Sequence, residues 1–363
     1  MTDKKKIKIF ERIGKRWRES VDRVREYEIT DFEETTDWGF IQTHIFGFEY
    51  RKAQRLKQKL MEKYEGKNVE DVISGEEIET EKGGFYQVLN RSKVRFIKPD
   101  FTEVGENILS NLKLIYGIGD VTERVLKEEG YKTINDLKSH PRFGSEACNF
   151  LELFEICDTY RLMNWIGRWF SKSHPLVLCV SGLHQKEDFV FLDIETMGLF
   201  GRPIILFGIA KVSGEDILVH QYLLRDIREE AGALAKTISH FEGNIVLVTF
   251  NGRTFDIPFI KERLAYYGMR ADIEKPNFDL LHFSRRAWRE KLPNCRLTTV
   301  EKYLLGIERK DDVPSALVPE FYATYLRTGN PGPLIPILEH NKQDLISLAH
   351  IFSKLWEEWR WWR

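Results

Sequence analysis

The sequence predicts an α/β protein whose C-terminal half is built on a mixed β-sheet flanked by helices. Short apolar runs bounded by polar residues recur between Phe189 and Phe250, as buried strands do. The first strands follow one another directly and later ones alternate with helical patterns, which is typical of a mixed sheet covered by helices. At 363 residues, the chain also exceeds what one hydrophobic core usually holds, so we expect more than one domain.

Residues 1–100 give the weakest pattern, and we predict a mainly helical region of uncertain fold there. Residues 1–30 carry ten Lys or Arg against six Asp or Glu. Helical stretches around Ile7–Glu28 favour a solvated amphipathic helix over a nucleic-acid-binding arm. Phe46–Tyr64 predicts a basic helix, and Phe85–Phe96 predicts a strand.

Residues 101–142 contain two helical stripes separated by Gly117 and Gly119. The segment resembles a helix-hairpin-helix motif, in which glycines allow a tight turn and the N–H groups of the next helix bind phosphate. The resemblance implies that both glycines contact nucleic acid. The alternative is a plain helical hairpin used for packing, and Asp120 and Glu123 place acid where phosphate would approach.

A helical connector at residues 143–185 leads into a domain at residues 186–363. After the strand that begins at Phe189, four more strands are predicted, at Pro203–Val212, Ile217–Leu224, Ile245–Phe250 and Asn277–Leu280. Helices are predicted at Glu229–Phe241 and Thr254–Tyr267, and the remainder is helical. Thr298 and Glu301 have the spacing of a capping box.

The strand that begins at Phe189 leads into two carboxylates. Asp193 and Glu195 are two residues apart, so they face the same side of the strand. Two carboxylates on one face repel each other unless they share a proton, a basic neighbour or a divalent cation. The next basic residue is Arg202, which favours the cation. A solvated strand end with two exposed acids is the alternative.

Two further motifs carry acids. The first, Asn251-Gly252-Arg253-Thr254-Phe255-Asp256, follows the fourth predicted strand, and the second, His340-Asn341-Lys342-Gln343-Asp344, opens a helix. With the Asp193 strand, these segments resemble the three motifs of the DEDD exonucleases, most closely the YprB-like branch. The resemblance covers roughly residues 186–355. It implies a ribonuclease-H-like fold, with a mixed five-stranded sheet flanked by helices.

The resemblance also implies two-metal phosphodiester hydrolysis with Mg²⁺ or Mn²⁺. Asp193 would bridge both ions, and Glu195 and Asp344 would complete one site. Asp256 would hold the second ion, and His340 would orient or deprotonate the nucleophile. His340 precedes Asp344 by four residues, whereas the histidine subclass usually has five, so the geometry of that subclass does not transfer directly.

Residues beside the carboxylates are candidates for substrate binding. By the resemblance, Thr196 and Leu199 lie where the family grips the terminal nucleotide. Asn251 and Phe255 could contact phosphate and base. A loop-capping amide and a core aromatic are equally good interpretations of these last two residues.

Basic and aromatic residues further along could bind a strand. Arg285 and Arg286 belong to a basic cluster with Trp288, which could track a single strand through charge and stacking. A solvated helix face is the alternative. Trp356 and Trp359 lie at helical spacing, which favours core packing over stacking on bases.

Bulk properties limit the classes of function. The formal net charge is −1, so nucleic-acid binding must come from local patches. Four cysteines without a Cys-x-x-Cys pair predict free thiols in a reducing compartment, with a metal or cluster site as the alternative. The sequence shows no apolar signal region and no apolar run near 18 residues, which predicts a soluble cytoplasmic protein.

The motifs together predict a metal-dependent 3′–5′ exonuclease that acts on single-stranded DNA. An exoribonuclease is an alternative, because no residue visibly reads a 2′-hydroxyl. A structure-specific endonuclease is another. A non-catalytic nucleic-acid-binding scaffold is the alternative of a different class, and the intact set of acids argues against it because a scaffold does not need four convergent carboxylates.

Overall fold

The computed structural model describes residues 27–30, 43–199 and 201–360. The helix predicted around Ile7–Glu28 lies outside the described residues except for its last two, which belong to strand β1 (Tyr27–Thr30). Strand β1 pairs in parallel with β2 (Thr43–Phe46) in a small sheet of its own.

A seven-stranded mixed sheet organises the described chain. Its spatial order is β3 (Glu76–Thr80), β4 (Gly83–Lys93), β7 (Asp216–Leu223), β6 (Ile204–Ser213), β5 (Phe189–Thr196), β8 (Val246–Thr249) and β9 (Asn277–Asp279). The pairs β5–β8 and β8–β9 are parallel, and the others are antiparallel. The predicted fold class is confirmed, and β5 to β9 lie within a few residues of the five predicted strands.

The sheet is larger than predicted because residues 1–100 contribute two strands to it. Strand β4 overlaps the strand predicted at Phe85–Phe96, and it pairs with β7 over eight residues, from Tyr86 opposite Leu223 to Lys93 opposite Asp216. The N-terminal hairpin of β3 and β4 is therefore part of the same sheet as the C-terminal strands.

Helices cover both faces of the sheet. Those before β5 are α1 (Gly47–Lys63), α2 (Val69–Val72), α3 (Phe101–Leu109), α4 (Asp120–Glu128), α5 (Gly144–Glu155), α6 (Thr159–Ile166) and α7 (Pro175–Cys179). Those after β5 are α8 (Glu230–Ser239), α9 (Asp256–Tyr266), α10 (Leu280–Trp288), α11 (Leu297–Val300), α12 (Val318–Thr328) and α13 (Leu334–Trp359).

Alternation along β5 divides the interior into two hydrophobic cores. Phe189 and Phe191 point to the face covered by α13, where both rings contact Phe96 at centroid distances of 5.0 and 5.5 Å. Val190 and Leu192 point to the opposite face, which is covered by α8, α9 and α12. The side chains that continue the first series, Asp193 and Glu195, therefore reach toward α13.

The segment that resembles a helix-hairpin-helix motif does form two helices, α3 and α4, which are joined by residues 110–119 with a short 3-10 helix at Leu112–Leu114. Gly117 has a φ of +82°, which favours glycine, whereas Gly119 has a φ of −102° and precedes α4. The carboxylate of Glu123 accepts a hydrogen bond from the Leu112 N–H at 3.0 Å, which holds the hairpin together. Phosphate binding by Gly117 and Gly119 stays a prediction.

The predicted capping box at Thr298 and Glu301 is wrong. Helix α11 begins after Arg296, and Glu301 is fully buried in an ion pair with Arg309, at 2.6 Å between Oε1 and Nη2. A partner from another segment has overridden the local spacing, because a buried carboxylate needs a charged or hydrogen-bonded neighbour more than the helix end needs a cap.

A second buried ion pair joins two helices on the α9 face. Arg263 donates to Glu230 through two nitrogens, at 2.7 and 2.6 Å, and the Tyr267 hydroxyl donates to the same carboxylate at 2.7 Å. Glu230 also accepts from the Ile204 N–H at 2.9 Å. This pair fixes α8, α9 and β6 relative to one another.

We expect Arg263→Met to lower the free energy of unfolding by about 3–5 kcal/mol, because it leaves the carboxylate of Glu230 buried without its cation. Urea unfolding followed by circular dichroism measures the change. Lys261→Met is the matched control on the same helix, since Lys261 pairs with Glu274 at the surface, and it should cost no more than about 1 kcal/mol. Equal losses in the two variants would contradict the assignment.

Candidate functional site

Strand β5 places two of the predicted site residues side by side. Asp193 is half-buried and Glu195 is buried. Asp193 lies opposite Gly208 of β6, and the pairing register shifts between Glu195 and Thr196. This irregularity ends the regular ladder directly after the second carboxylate.

A buried amide from α13 holds Asp193. The Asn341 Nδ2 donates to the Asp193 carbonyl oxygen at 3.1 Å and to its Oδ2 at 2.8 Å. The Gln221 Nε2 in turn donates to the Asn341 Oδ1 at 2.9 Å. Gly208 leaves room for this amide, because a Cβ there would overlap it. Sequence reasoning gave Gln221 and Gly208 no role, although a glutamine in an apolar strand was a usable signal.

Asp256 reaches the same site from α9. It is the first residue of the helix, it is buried, and its Oδ1 accepts the Ile194 N–H at 3.1 Å. The preceding loop is anchored to the end of β9, because Asp279 accepts from the backbone N–H groups of Asn251 and Arg253 at 2.8 and 3.2 Å.

Helix α13 contributes His340 and Asp344 one turn apart. The His340 Nε2 lies 3.7 Å from the Asp344 Oδ2 and 3.9 Å from the Glu195 Oε1. The four-residue spacing therefore brings both side chains to the strand carboxylates, as helical periodicity predicts. The structure brings all five predicted residues, Asp193, Glu195, Asp256, His340 and Asp344, into one site, which we call the carboxylate site.

Three residues before α12 complete the surroundings of His340. The Asp312 Oδ1 lies 2.7 Å from its Nδ1, and the Ser315 Oγ lies 3.2 Å from its Nε2. Arg309 contacts Asp344 and lies 3.2 Å from the His340 Nδ1. These three residues are not part of the predicted site, because they lie in an irregular segment where no periodicity marks them.

Burial and mutual repulsion shift the protonation of the acids. Burial raises the pKa of Glu195 to about 8 and that of Asp256 to about 7. It also raises the pKa of Asp193 well above its usual value, and the charges of Asp344, Glu195 and Asp256 add to this rise. These acids would hold protons near neutral pH unless a cation offset their charge.

The pKa of His340 is shifted in favour of the charged form, whereas the pKa values of the acids are shifted in favour of the neutral form. Burial lowers the pKa of His340, but Asp344, Asp312 and Glu195 outweigh burial and raise it to about 10. Burial alone would raise the pKa of Asp312, yet the hydrogen bond and the charge of His340 hold it below its usual value. The charged form of the imidazole is therefore favoured while these carboxylates are ionised.

Comparison with known proteins finds a superfamily that matches the region of this site. The RNase_H superfamily matches residues 190–356, the region that contains the carboxylate site. Residues 190–356 form an RNase H-like domain. Domains of this superfamily are typically nucleases and generally use divalent metals, and such a nucleic-acid-processing fold implies a nucleic-acid substrate.

Individual proteins are also similar to this chain. The uncharacterized protein YprB of Bacillus subtilis (strain 168) is 36% identical over 174 residues, which are 47% of this chain and 42% of the relative. The match therefore spans less than half of that relative's length. The family B DNA polymerase of the hyperthermophilic archaeon Pyrobaculum calidifontis aligns at a TM-score of 0.36 and 17% identity, over 46% of this chain and 24% of that one. A TM-score this low carries no inference about function.

The donor set of the RNase H-like domain suits a hard divalent cation. Asp193, Glu195, Asp256 and Asp344 offer carboxylate oxygens, which Mg²⁺ and Mn²⁺ prefer, and a cation would offset the charge that raises their pKa values. In the part of the chain that the structure describes, no three or more His, Cys, Asp or Glu side chains are already arranged to hold a metal ion. The residues fit the cation by their chemistry.

The candidate substrate residues near the RNase H-like carboxylates differ in accessibility. Thr196 is buried and its hydroxyl donates to the Gly198 carbonyl oxygen at 2.8 Å, whereas Leu199 is half-buried. Asn251 is exposed with a φ of +67°, and its Oδ1 accepts from the Thr254 hydroxyl at 2.6 Å, as a loop-capping amide does. The half-buried Phe255 packs against the core. Substrate contacts by these four residues stay predictions.

The basic cluster lies on the surface of α10. Arg285 and Arg286 are exposed, and Arg286 donates to the Ser171 Oγ of the connector at 2.7 Å. Trp288 is 1% exposed, so it packs in the core and cannot stack on bases. Trp356 is also buried and Trp359 packs against the same core, which confirms the preference for core packing. Among the described helices, none has the length and apolarity to cross a membrane.

The raised pKa values predict how stability depends on pH. A carboxyl whose pKa is higher in the folded state contributes stability at low pH, and that stability is lost as pH rises from about 4 through the folded values of about 7 and 8. Buried histidines such as His240, whose pKa burial lowers to about 3, have the opposite slope. Chemical unfolding of wild type and Glu195→Gln in EDTA therefore isolates the contribution of Glu195 to the pH dependence of stability.

We expect Glu195→Gln to become more stable relative to wild type as pH rises from 5 to 8, because glutamine cannot ionise. Mg²⁺ or Mn²⁺ should stabilise wild type more at pH 8 than at pH 5, since it binds the ionised acids. A difference between the two proteins that does not change with pH would show that Glu195 is not buried among like charges.

Proposed function

We propose that the RNase H-like domain is a metal-dependent 3′–5′ exonuclease that hydrolyses phosphodiester bonds of single-stranded DNA. The observation that supports this most is the convergence of four acids from three elements, β5, α9 and α13, on one buried site. Concentrating like charge in this way is destabilising, and structural acids can be paired singly elsewhere. A site built to hold cations against a phosphate accounts for the arrangement.

Each acid then has a role. Asp193 would be shared between two cations, Glu195 and Asp344 would hold one of them, and Asp256 would hold the other. Bound divalent cations would offset the charge of the acids and of the scissile phosphate, which favours attack by water and departure of the 3′-oxygen. The hydrogen bonds of Asn341 to Asp193, at 3.1 and 2.8 Å, would hold the shared ligand in place.

His340 is the residue that we propose to handle the proton of the attacking water. Its Nδ1 is held by Asp312 at 2.7 Å, which turns Nε2 toward Glu195 and Asp344. The imidazole can accept a proton at neutral pH only when the charge of Asp344 and Glu195 is offset, because these acids hold its pKa at about 10. Transfer of the proton to His340 would therefore depend on cation binding by Asp344 and Glu195.

DNA is the proposed substrate because of the hairpin formed by α3 and α4. The turn at Gly119 leaves open space, since a Cβ there would meet no other atom within 4 Å, and a phosphate can approach such a turn closely. The carboxylate site itself does not distinguish DNA from RNA, so the test includes both single-stranded DNA and single-stranded RNA as substrates.

We expect purified protein to shorten 5′-labelled single-stranded DNA stepwise from its 3′ end with Mg²⁺ or Mn²⁺, and to be inactive in EDTA. Asp193→Asn should lower the rate by a thousandfold or more, about 4 kcal/mol at ~1.36 kcal/mol per tenfold. Glu195→Gln should also be nearly inactive. Its matched control is Glu215→Gln on the exposed β6–β7 turn, which should cleave like wild type.

Each alternative function predicts a different pattern of cleavage products on a gel. Stepwise shortening of RNA but not DNA would indicate an exoribonuclease, and internal cuts in a circular or end-blocked strand would indicate an endonuclease. Binding without any cleavage would indicate a scaffold. An Asp193→Asn variant that keeps more than about a tenth of wild-type activity would contradict the assignment of the acids.

We expect His340→Ala to lose about 10²–10⁴-fold in rate at saturating metal if the imidazole takes the proton. His340→Tyr should recover part of that loss, because a phenol from the same helical position can reach the site. His350→Ala is the control on the same helix and should cleave nearly as well as wild type. If His340→Ala cleaves as fast as wild type and keeps the same acidic limb in its pH profile, the histidine is structural.

A further inference from the structure

A cavity of about 250 Å³ lies where the connector meets the β9 edge of the sheet. One wall comes from α6 and the turn after it, and the other comes from the start of α9 and the segment that leads into β9. The five residues of the carboxylate site are not among those that line it. The cavity is therefore a concave site that the proposed chemistry does not use.

The charge of the cavity lining is positive. Lys172, Arg253 and Lys275 line it together with a single acid, Glu274. That acid is already paired with Lys261 outside the lining, and Lys275 pairs with Asp272 at 3.1 Å. Burial lowers the pKa of Arg253, and Asp279 opposes this effect. An anionic group in the cavity would offset the charge of a guanidinium that is largely withdrawn from water.

A polar group at the cavity also lacks a partner. Asn277 is 9% exposed and lines the cavity, and its Nδ2 is buried without a hydrogen bond among the described residues. Its Oδ1 is occupied by the Thr249 hydroxyl at 3.0 Å. A buried donor without a partner is destabilising.

Most of the remaining lining is apolar, with Asn164 as a polar exception. Tyr160, Met163, Ile257 and Ile273 contribute apolar surface on both sides. The volume is slightly below the range of about 300–1,000 Å³ typical of sites for drug-sized ligands. The cavity therefore excludes large ligands, and it suits one aromatic ring carrying a sugar and a charged group at the open side.

We propose that this cavity binds one nucleoside 5′-monophosphate, with the phosphate at Lys172 and Arg253 and the base between the apolar walls near Asn277. The choice of ligand rests on the proposed function, because cleavage with departure of the 3′-oxygen releases this compound from a strand. Arg253 lies three residues before Asp256 in the loop that Asp279 anchors. A ligand in the cavity would therefore contact the loop that positions Asp256.

The test measures binding of dAMP, dCMP, dGMP and dTMP to the full chain by isothermal titration calorimetry in EDTA. The matching nucleosides and inorganic phosphate serve as probes of each half of the ligand. We expect mononucleotides to bind at least about tenfold more tightly than either half, since an ionic contact and apolar burial each contribute a factor of this order. Inorganic phosphate that binds as tightly as dAMP would overturn the proposal.

Two variants at exposed cavity positions test the location. Lys172→Glu reverses the charge at the mouth, and Asn164→Trp fills the space from α6; both should weaken dAMP binding at least about tenfold. Lys82→Glu, on the exposed β3–β4 turn, is the control and should bind like wild type. If both cavity variants bind dAMP as wild type does, the nucleotide binds elsewhere and the proposal fails.

A competition experiment distinguishes binding of a free nucleotide from binding of a nucleotide within a strand. An oligonucleotide that competes with dAMP on Asp193→Asn would place one unit of the strand in the cavity, and lack of competition would assign the cavity to the released product. Strand cleavage is measured in parallel on wild type. Cleavage without dAMP binding would overturn only the cavity, and dAMP binding without cleavage would overturn only the exonuclease.

Discussion

Repulsion between buried carboxylates is the constraint on which the C-terminal domain depends. Asp193, Glu195, Asp256 and Asp344 approach one another where little water can screen them, so their charges interact far more strongly than at a surface. Arg309 and His340 offset part of this charge within the described residues. The acids are nevertheless held together by β5, α9 and α13, which are anchored in the two hydrophobic cores. Packing thus stabilises an arrangement that electrostatics alone would disperse.

The supports of the site are hydrogen bonds from groups that cannot ionise. The Ile194 N–H holds Asp256, and the Asn341 amide holds Asp193 with Gln221 behind it. Neutral donors orient a carboxylate without neutralising it, which preserves its charge for a ligand. Arg309 differs, because it pairs with both Glu301 and Asp344. This guanidinium links the buried helix turn at Glu301 to an acid of the site.

Periodicity explains what the sequence could predict of this molecule. A strand puts Asp193 and Glu195 on one face, and a helix puts His340 and Asp344 on one face, so these pairs follow from spacing alone. Arg309 and Asp312 lie in an irregular segment before α12, where no period exists to reveal them. Glu301 was assigned to a helix cap because local spacing carries no information about a partner 8 residues away. Likewise, the sequence of β4 has a strand pattern, but that pattern does not identify β7 as the strand that pairs with it.

The pairing of β4 with β7 also decides where this chain can be divided. The antiparallel ladder from Tyr86 to Lys93 covers the whole of β7. A fragment that began at residue 186 would contain every acid of the site, yet it would expose β7 as an unpaired edge strand, and such edges recruit other chains. The boundary suggested by motifs and the boundary set by backbone hydrogen bonds are therefore different. The shortest fragment that keeps this edge covered has to begin before Gly83, the first residue of β4, although the first acid of the site, Asp193, lies more than a hundred residues later.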